Sequence, residues 1–127
     1  MSERLLYLPK VLFQTRPEAV TGIEGNPGGG DIKGECLIYP FQTGSIVVSA
    51  VNGLPDGFFR LCISSDVYPQ LELPSLLSSH HFSYCLVYDG RFKPSDVVDG
   101  SISICSADNE IIASGNVQLR AWHGPDS

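Results

Sequence analysis

Positive charge is scarce in this chain. It carries 8 Lys and Arg against 14 Asp and Glu, a net charge of −6. Neither nucleic acid nor an anionic membrane is therefore expected as the main partner. Long apolar runs are missing as well. No stretch approaches the ~18 residues that cross a bilayer. The N-terminal MSERLLYLPKVLF is apolar only in patches and is interrupted by Pro9 and Lys10. No small-residue cleavage site follows it, so the expectation is a cytoplasmic protein rather than a secreted one. Histidine is rare, at 3 residues, which leaves little material for an imidazole metal site. Cysteine pairs at zinc-knuckle spacing are absent too. Cys36, Cys62, Cys85 and Cys105 stand far apart in sequence, and in a reducing compartment they are expected as free thiols.

What is present is an apolar fraction of 43% over 127 residues. That suffices for one domain with a real core and is too short for two. The pattern is that of strands. Ser45–Val51 is rich in β-branched residues and ends at Asn52-Gly53. Gly53-Leu54-Pro55-Asp56-Gly57 reads as a turn, because proline fixes φ and glycine reaches conformations closed to other residues. Phe58–Ser64 then reads as the second strand of a central hairpin. Phe59, Leu61 and Ile63 share one of its faces; Arg60, Cys62 and Ser64 share the other.

Further strands are expected at Ala19–Glu24, Ile32–Phe41, His81–Asp89, Gly100–Ser106 and Ile111–Trp122. The last is broken at Ser114-Gly115-Asn116. In Ile32–Phe41 both parities are apolar toward the end, so its inward face stays open. Asp66–Ser79, with Pro69, Pro74 and many serines, reads as irregular. A short helical turn capped by Ser95 fits Ser95–Val98, and Asp108-Asn109 fits a hairpin turn. Gly25–Gly30 is a flexible turn without the spacing of a phosphate loop. Short strands between Gly/Pro/Asn turns, with no long helix, specify an all-β Greek-key sandwich or flattened barrel.

Several motifs in order make the chain resemble the Cu/Zn superoxide dismutase family, especially its bacterial members. Gly53-Leu54-Pro55 followed by Phe58-Phe59-Arg60-Leu61-Cys62-Ile63-Ser64 is similar to the family's GLP and FFGFHIH run. Leu73-Pro74-Ser75-Leu76-Leu77 is similar to LPPLL. Arg91-Phe92 with Asp96-Val97-Val98-Asp99-Gly100 is similar to RF…DVIG, and Ile112-Ala113-Ser114-Gly115 to IACG. The resemblance spans about residues 15–118. It implies a dismutase-like β domain over residues 18–122, preceded by an N-terminal extension at 1–17 and followed by a tail at 123–127.

The resemblance also implies where copper and zinc would be held, and there the residues differ. Cys62 and Ser64 fall on the two copper histidines of HIH, and Cys105 falls on the one ending the family's VVIH strand. The metal loop is cut down to Asp66–Glu72, with Glu72 near the zinc Asp and Pro69 at a zinc His. The electrostatic loop is reduced to Ala107–Glu110, with Ile111 at the guiding arginine. Ser114 replaces a cysteine of the family disulfide. The expectation is a noncatalytic, pseudoenzyme-like member without cofactor, acting as a structural or interaction module through a homodimer or protein partner.

Two alternatives stay open. Cys62 and Cys105, placed on one face, could bind Cu(I) or zinc through sulfur, or act as a redox-sensing dithiol. A residual dismutase with a rebuilt metal site would need His80 or His81 to reach that face. Those two are expected at the start of a strand, pointing to opposite sides. His123 lies near the C-terminus. Cys36 and Cys85 are expected in the core, and Arg91 is expected to pair with Asp89.

Overall fold

The computed structural model describes residues 16–26 and 31–119. The N-terminal extension before Arg16, most of the Gly25–Gly30 turn, Trp122 and the tail with His123 lie outside the described residues. Ten strands form one curled, wholly antiparallel sheet. They are β1 (Ala19–Gly25), β2 (Lys33–Phe41), β3 (Gly44–Asn52), β4 (Gly57–Ser64), β5 (Leu71–Glu72), β6 (Leu76–Ser78), β7 (Phe82–Asp89), β8 (Ser101–Cys105), β9 (Ile111–Asn116) and β10 (Gln118–Leu119). The order across the sheet is β5-β4-β8-β9-β1-β2-β3-β7, with β10 on β1 and β6 on β4. Among the described residues no helix is long and apolar enough to cross a membrane.

The alternating apolar residues close the curl. Phe59, Leu61 and Ile63 of β4 and Ile102 and Ile104 of β8 all point inward. They meet Ala19 and Ile23 of β1, Cys36 and Ile38 of β2, and Val47 and Val51 of β3 in one core. The undecided strand resolves here: Ile32, Cys36 and Ile38 face in, while Leu37, Tyr39 and Phe41 face out. The outward set joins Ile46, Val48 and Ala50 of β3 and Phe82, Tyr84 and Leu86 of β7 in a second apolar cluster.

The central hairpin expected from sequence does not form. β3 pairs with β2 and β7, whereas β4 pairs with β5, β6 and β8. Gly53–Asp56 is a crossover between walls of the curl, not a hairpin loop. Gly53 has φ of +91°, and a Cβ there would sit 2.4 Å from the Asp31 carbonyl oxygen. Gly57 also takes positive φ, at +137°. Leu54, buried between them, anchors the crossover in the core.

Three local expectations are also corrected. The stretch read as irregular holds β5 and β6, short strands bounded by Pro69 and Pro74. The helical turn is a 3₁₀ segment at Pro94–Val97, starting one residue early because Pro94 suits a first helical position. It is held by Lys93 N donating to Asp96 Oδ2 at 2.9 Å, not by Ser95. β9 runs unbroken through Ser114-Gly115-Asn116. Gly115 belongs inside it because a Cβ would lie 1.9 Å from the Gly22 carbonyl oxygen. The turn at Asp108-Asn109 does join β8 to β9, with Asn109 at φ 64° and Asn109 N donating to Ser106 O at 3.0 Å.

Leu61, at 2% exposure, and Leu77, at 56%, separate core from surface. In urea denaturation Leu61→Ala is expected to lower stability by about 2–5 kcal/mol. Leu77→Ala should stay within about 0.5 kcal/mol of the parent. Equal losses would contradict this account of the core.

Candidate functional site

β4 and β8 lie side by side, with Arg60 opposite Cys105 and Cys62 opposite Ser103. Inward positions take the large aliphatics, so alternation turns Arg60, Cys62 and Cys105 onto the outer face. Cys62 and Cys105 are therefore diagonal neighbours. Such positions have Cα atoms roughly 7–8 Å apart, with Cβ atoms somewhat closer. Both are under a tenth exposed, and a charge on Cys105 opposes ionisation of Cys62. β5 completes the face: Glu72 stands opposite Cys62.

Arg60 organises this face. Its Nη1 approaches Glu72 Oε1 at 3.9 Å, and its Nη2 donates to Asn109 Oδ1. A guanidinium thus ties the β8–β9 turn to β4. Sequence reading assigned Asn109 to a turn and gave Arg60 no role. The available signal was Arg60's shared parity with Cys62 and the tolerance of Asn for left-handed backbone.

The Cys62 thiol is not activated. Burial, then Cys105 and Glu72, push it up, with Arg60 and a Gln70 side-chain hydrogen bond opposing. Cys36, fully enclosed in the core, is pushed up to about 12 by burial, with smaller contributions from Cys85 and Glu35. Cys85 is raised by burial as well.

The two described histidines are elsewhere. His80 and His81 are not at the start of a strand; they are the two central residues of the tight turn from β6 to β7. Both have positive φ, 55° and 61°, as a type I′ turn requires. Ser79 and Phe82 close it through reciprocal backbone bonds of 2.9 and 3.1 Å. His81 ties the turn to the β3–β4 crossover. Its Nδ1 lies 3.1 Å from the Leu54 carbonyl oxygen, its N–H donates to Asp56 Oδ1 at 3.1 Å, and its carbonyl accepts from Gly53 N at 2.7 Å. The turn follows Ser78, which pairs with Gly57. Cys62 lies five residues further along β4, about 17 Å away at strand rise. The structure brings Cys62 and Cys105 together and leaves His80 and His81 at the far end of the strand.

The donor set does not fit a copper–zinc pair. Among the described residues no three His, Cys, Asp or Glu side chains are grouped to hold an ion. A guanidinium fixed beside the thiols would also repel a cation.

Arg91 does pair with Asp89. Its Nη2 donates to Asp89 Oδ2 at 2.6 Å and to the Glu72 carbonyl oxygen at 3.0 Å, while Tyr68 donates to the Arg91 carbonyl oxygen at 2.6 Å. This pins the end of β7 to β5. Hydrogen bonding from Arg91 holds the buried Asp89 carboxyl below its ordinary 3.8, outweighing the opposing effect of burial.

No protein-family model matches the chain, and no curated protein matches it significantly. Solved structures do. One variant of superoxide dismutase 5 from Candida albicans matches at 14% identity with a TM-score of 0.61, covering 87% of this chain and 98% of that one. A second variant matches at 13% identity with a TM-score of 0.58, covering 88% and 98%. The likeness establishes the fold: a curled antiparallel barrel of the Cu/Zn superoxide dismutase type.

Two outcomes follow for solution measurements. In a native thiol titration near neutral pH, Cys36 should stay silent and Cys62 should react more slowly than free cysteine, with all four thiols reacting after unfolding. Rapid native labelling of Cys62 would contradict the environment described. Asp89 has a folded pKa below its unfolded one, so the stability it contributes is present above 3.8 and is lost as pH falls through the lower, folded value. Asp89→Asn should cost about 1–2 kcal/mol at pH 7, discounted for the half-exposed arginine, and the difference from the parent should shrink in strong acid. A constant difference down to strong acid would exclude this linkage.

Proposed function

We propose that the chain is a superoxide dismutase-like domain that works without copper–zinc catalysis, as a structural or interaction module. One observation carries the reading. The outer face of β4–β8, where the family resemblance locates copper, presents Arg60 beside the Cys62 and Cys105 thiols rather than converging imidazoles. The fold is retained while the donor chemistry is replaced, as expected when function resides in side chains grafted on a scaffold. A protein partner or second copy suits the exposed apolar pair Phe58 and Leu77, 69% and 56% exposed, which face each other across β4 and β6. The acidic net charge of −6 disfavours nucleic acid and membrane. We place the chain in the cytoplasm, where its four cysteines would stay reduced.

A second reading rests on the shared face of Cys62 and Cys105. Metal–sulfur bonds of about 2.3 Å place two sulfurs roughly 3.8 Å apart at a tetrahedral zinc and about 4.6 Å apart at a linear Cu(I), which a diagonal pair can approach by side-chain rotation. A disulfide needs Cβ atoms within about 4.5 Å, so a dithiol switch would require the strands to shift. Cu(I) or zinc binding is thus the stronger of the two thiol alternatives.

The deciding experiment is elemental analysis of protein purified without oxygen, beside a thiol count. No copper or zinc and four thiols after unfolding are expected. Stoichiometric metal that Cys62→Ser removes would replace this reading with the thiol site. A loss of about two hydrogens on mild peroxide oxidation, abolished by Cys105→Ser, would favour the switch, since each disulfide forms with release of two hydrogens. Dismutase activity after copper loading would restore the catalytic alternative.

A further inference from the structure

The second apolar cluster lies on the outside of the curl, yet four of its residues are shielded from solvent. Tyr39, Ile46, Val48 and Ala50 are 3%, 6%, 0% and 5% exposed. Every described member of that cluster comes from β2, β3 or β7, so neighbours in the same sheet flank these side chains but none of them lies over their outward ends. An outward sheet face without a covering layer leaves such ends wet. Among the described residues no element supplies a cover for that face.

We propose that residues 1–15 dock on the outer face of β2, β3 and β7 as an intrachain clasp. Composition selects this segment. It carries Leu5, Leu6, Leu8, Leu12 and Phe13, whereas residues 120–127 offer Trp122 and one alanine, and residues 27–30 are proline and glycine. Its starting point is right. Glu18 N donates to the Ile38 carbonyl oxygen at 2.9 Å, so the chain reaches β1 beside Tyr39. Its length suffices: three interstrand steps from β1 to β7 are about 14 Å, against about 22 Å for 15 residues as helix and about 50 Å extended. The face also has an unmet polar demand. The Tyr84 hydroxyl is buried there without a hydrogen-bond partner, and a backbone group of an incoming segment would supply one.

The test places a photocrosslinking p-benzoylphenylalanine at Leu86 in the full-length chain, followed by proteolysis and mass spectrometry. The expected product is a monomer crosslinked to a peptide from residues 1–15, and Leu12→Asp with Phe13→Asp should abolish it. Crosslinks to residues 120–127, to a second copy, or to nothing would overturn the clasp. A measurement on the unsubstituted chain covers the case in which that variant misfolds. Nuclear Overhauser effects from the Val48 methyls should reach the Tyr7 or Phe13 ring, and their absence would equally overturn it.

Discussion

The structure depends on β3 having no solvent side. Its residues from Gly44 to Val51 are all buried. Both edges are paired, one with β2 and one with β7. Val47 and Val51 enter the main core while Ile46, Val48 and Ala50 enter the outer cluster. At about 1.5–3 kcal/mol for each fully buried large aliphatic, this strand can neither slip register nor turn over. The chain leaving it has no free neighbour to pair with, so it crosses to the opposite wall. Gly53 makes the exit possible, and His81 clamps the crossover to the β6–β7 turn. The two histidines thus have a structural task that accounts for their unusual backbone.

The crossover delivers β4 beside β8, and that pairing creates the outer face carrying Cys62, Cys105 and Arg60. The outward side chains Cys62 and Cys105 of β4 and β8 are not part of the main core, so chemistry there can change without loss of fold. Two thiols occupy little space and tolerate near-complete burial. Arg60 fills the remaining surface, pairing with Glu72 and reaching Asn109. The same three residues would meet a metal ion with one fixed positive charge. The Arg91–Asp89 pair performs the equivalent task at the other edge, tying β7 to β5 without exposing a reactive group.

Much of this was legible beforehand. Alternation in Phe59, Leu61 and Ile63, and in Ile102 and Ile104, announces strands and their inward faces. Cys62 and Cys105 fall on the outward parity by the same rule, and the family resemblance unites them. The misreadings share a cause. Gly53–Gly57 has a hairpin's composition, and a turn's residues say where the chain bends but not which strand it meets next. Gly115 looked like a break because nothing local shows that Gly22 passes close behind it. Ile32–Phe41 was ambiguous because Cys36 and Ile38 enter the main core while Leu37, Tyr39 and Phe41 join the outer apolar cluster.

By itself the sequence determined most of the strands, the all-β class and the shared outward parity of Arg60 and Cys62, because periodicity and residue identity are local properties. The tertiary structure decided which strands are neighbours, that Arg60 stands opposite Cys105 and within reach of Glu72, and that His80 and His81 serve a turn. Those depend on pairing between segments distant in sequence, which is selected by the burial of two faces at once and is written in no single stretch of chain.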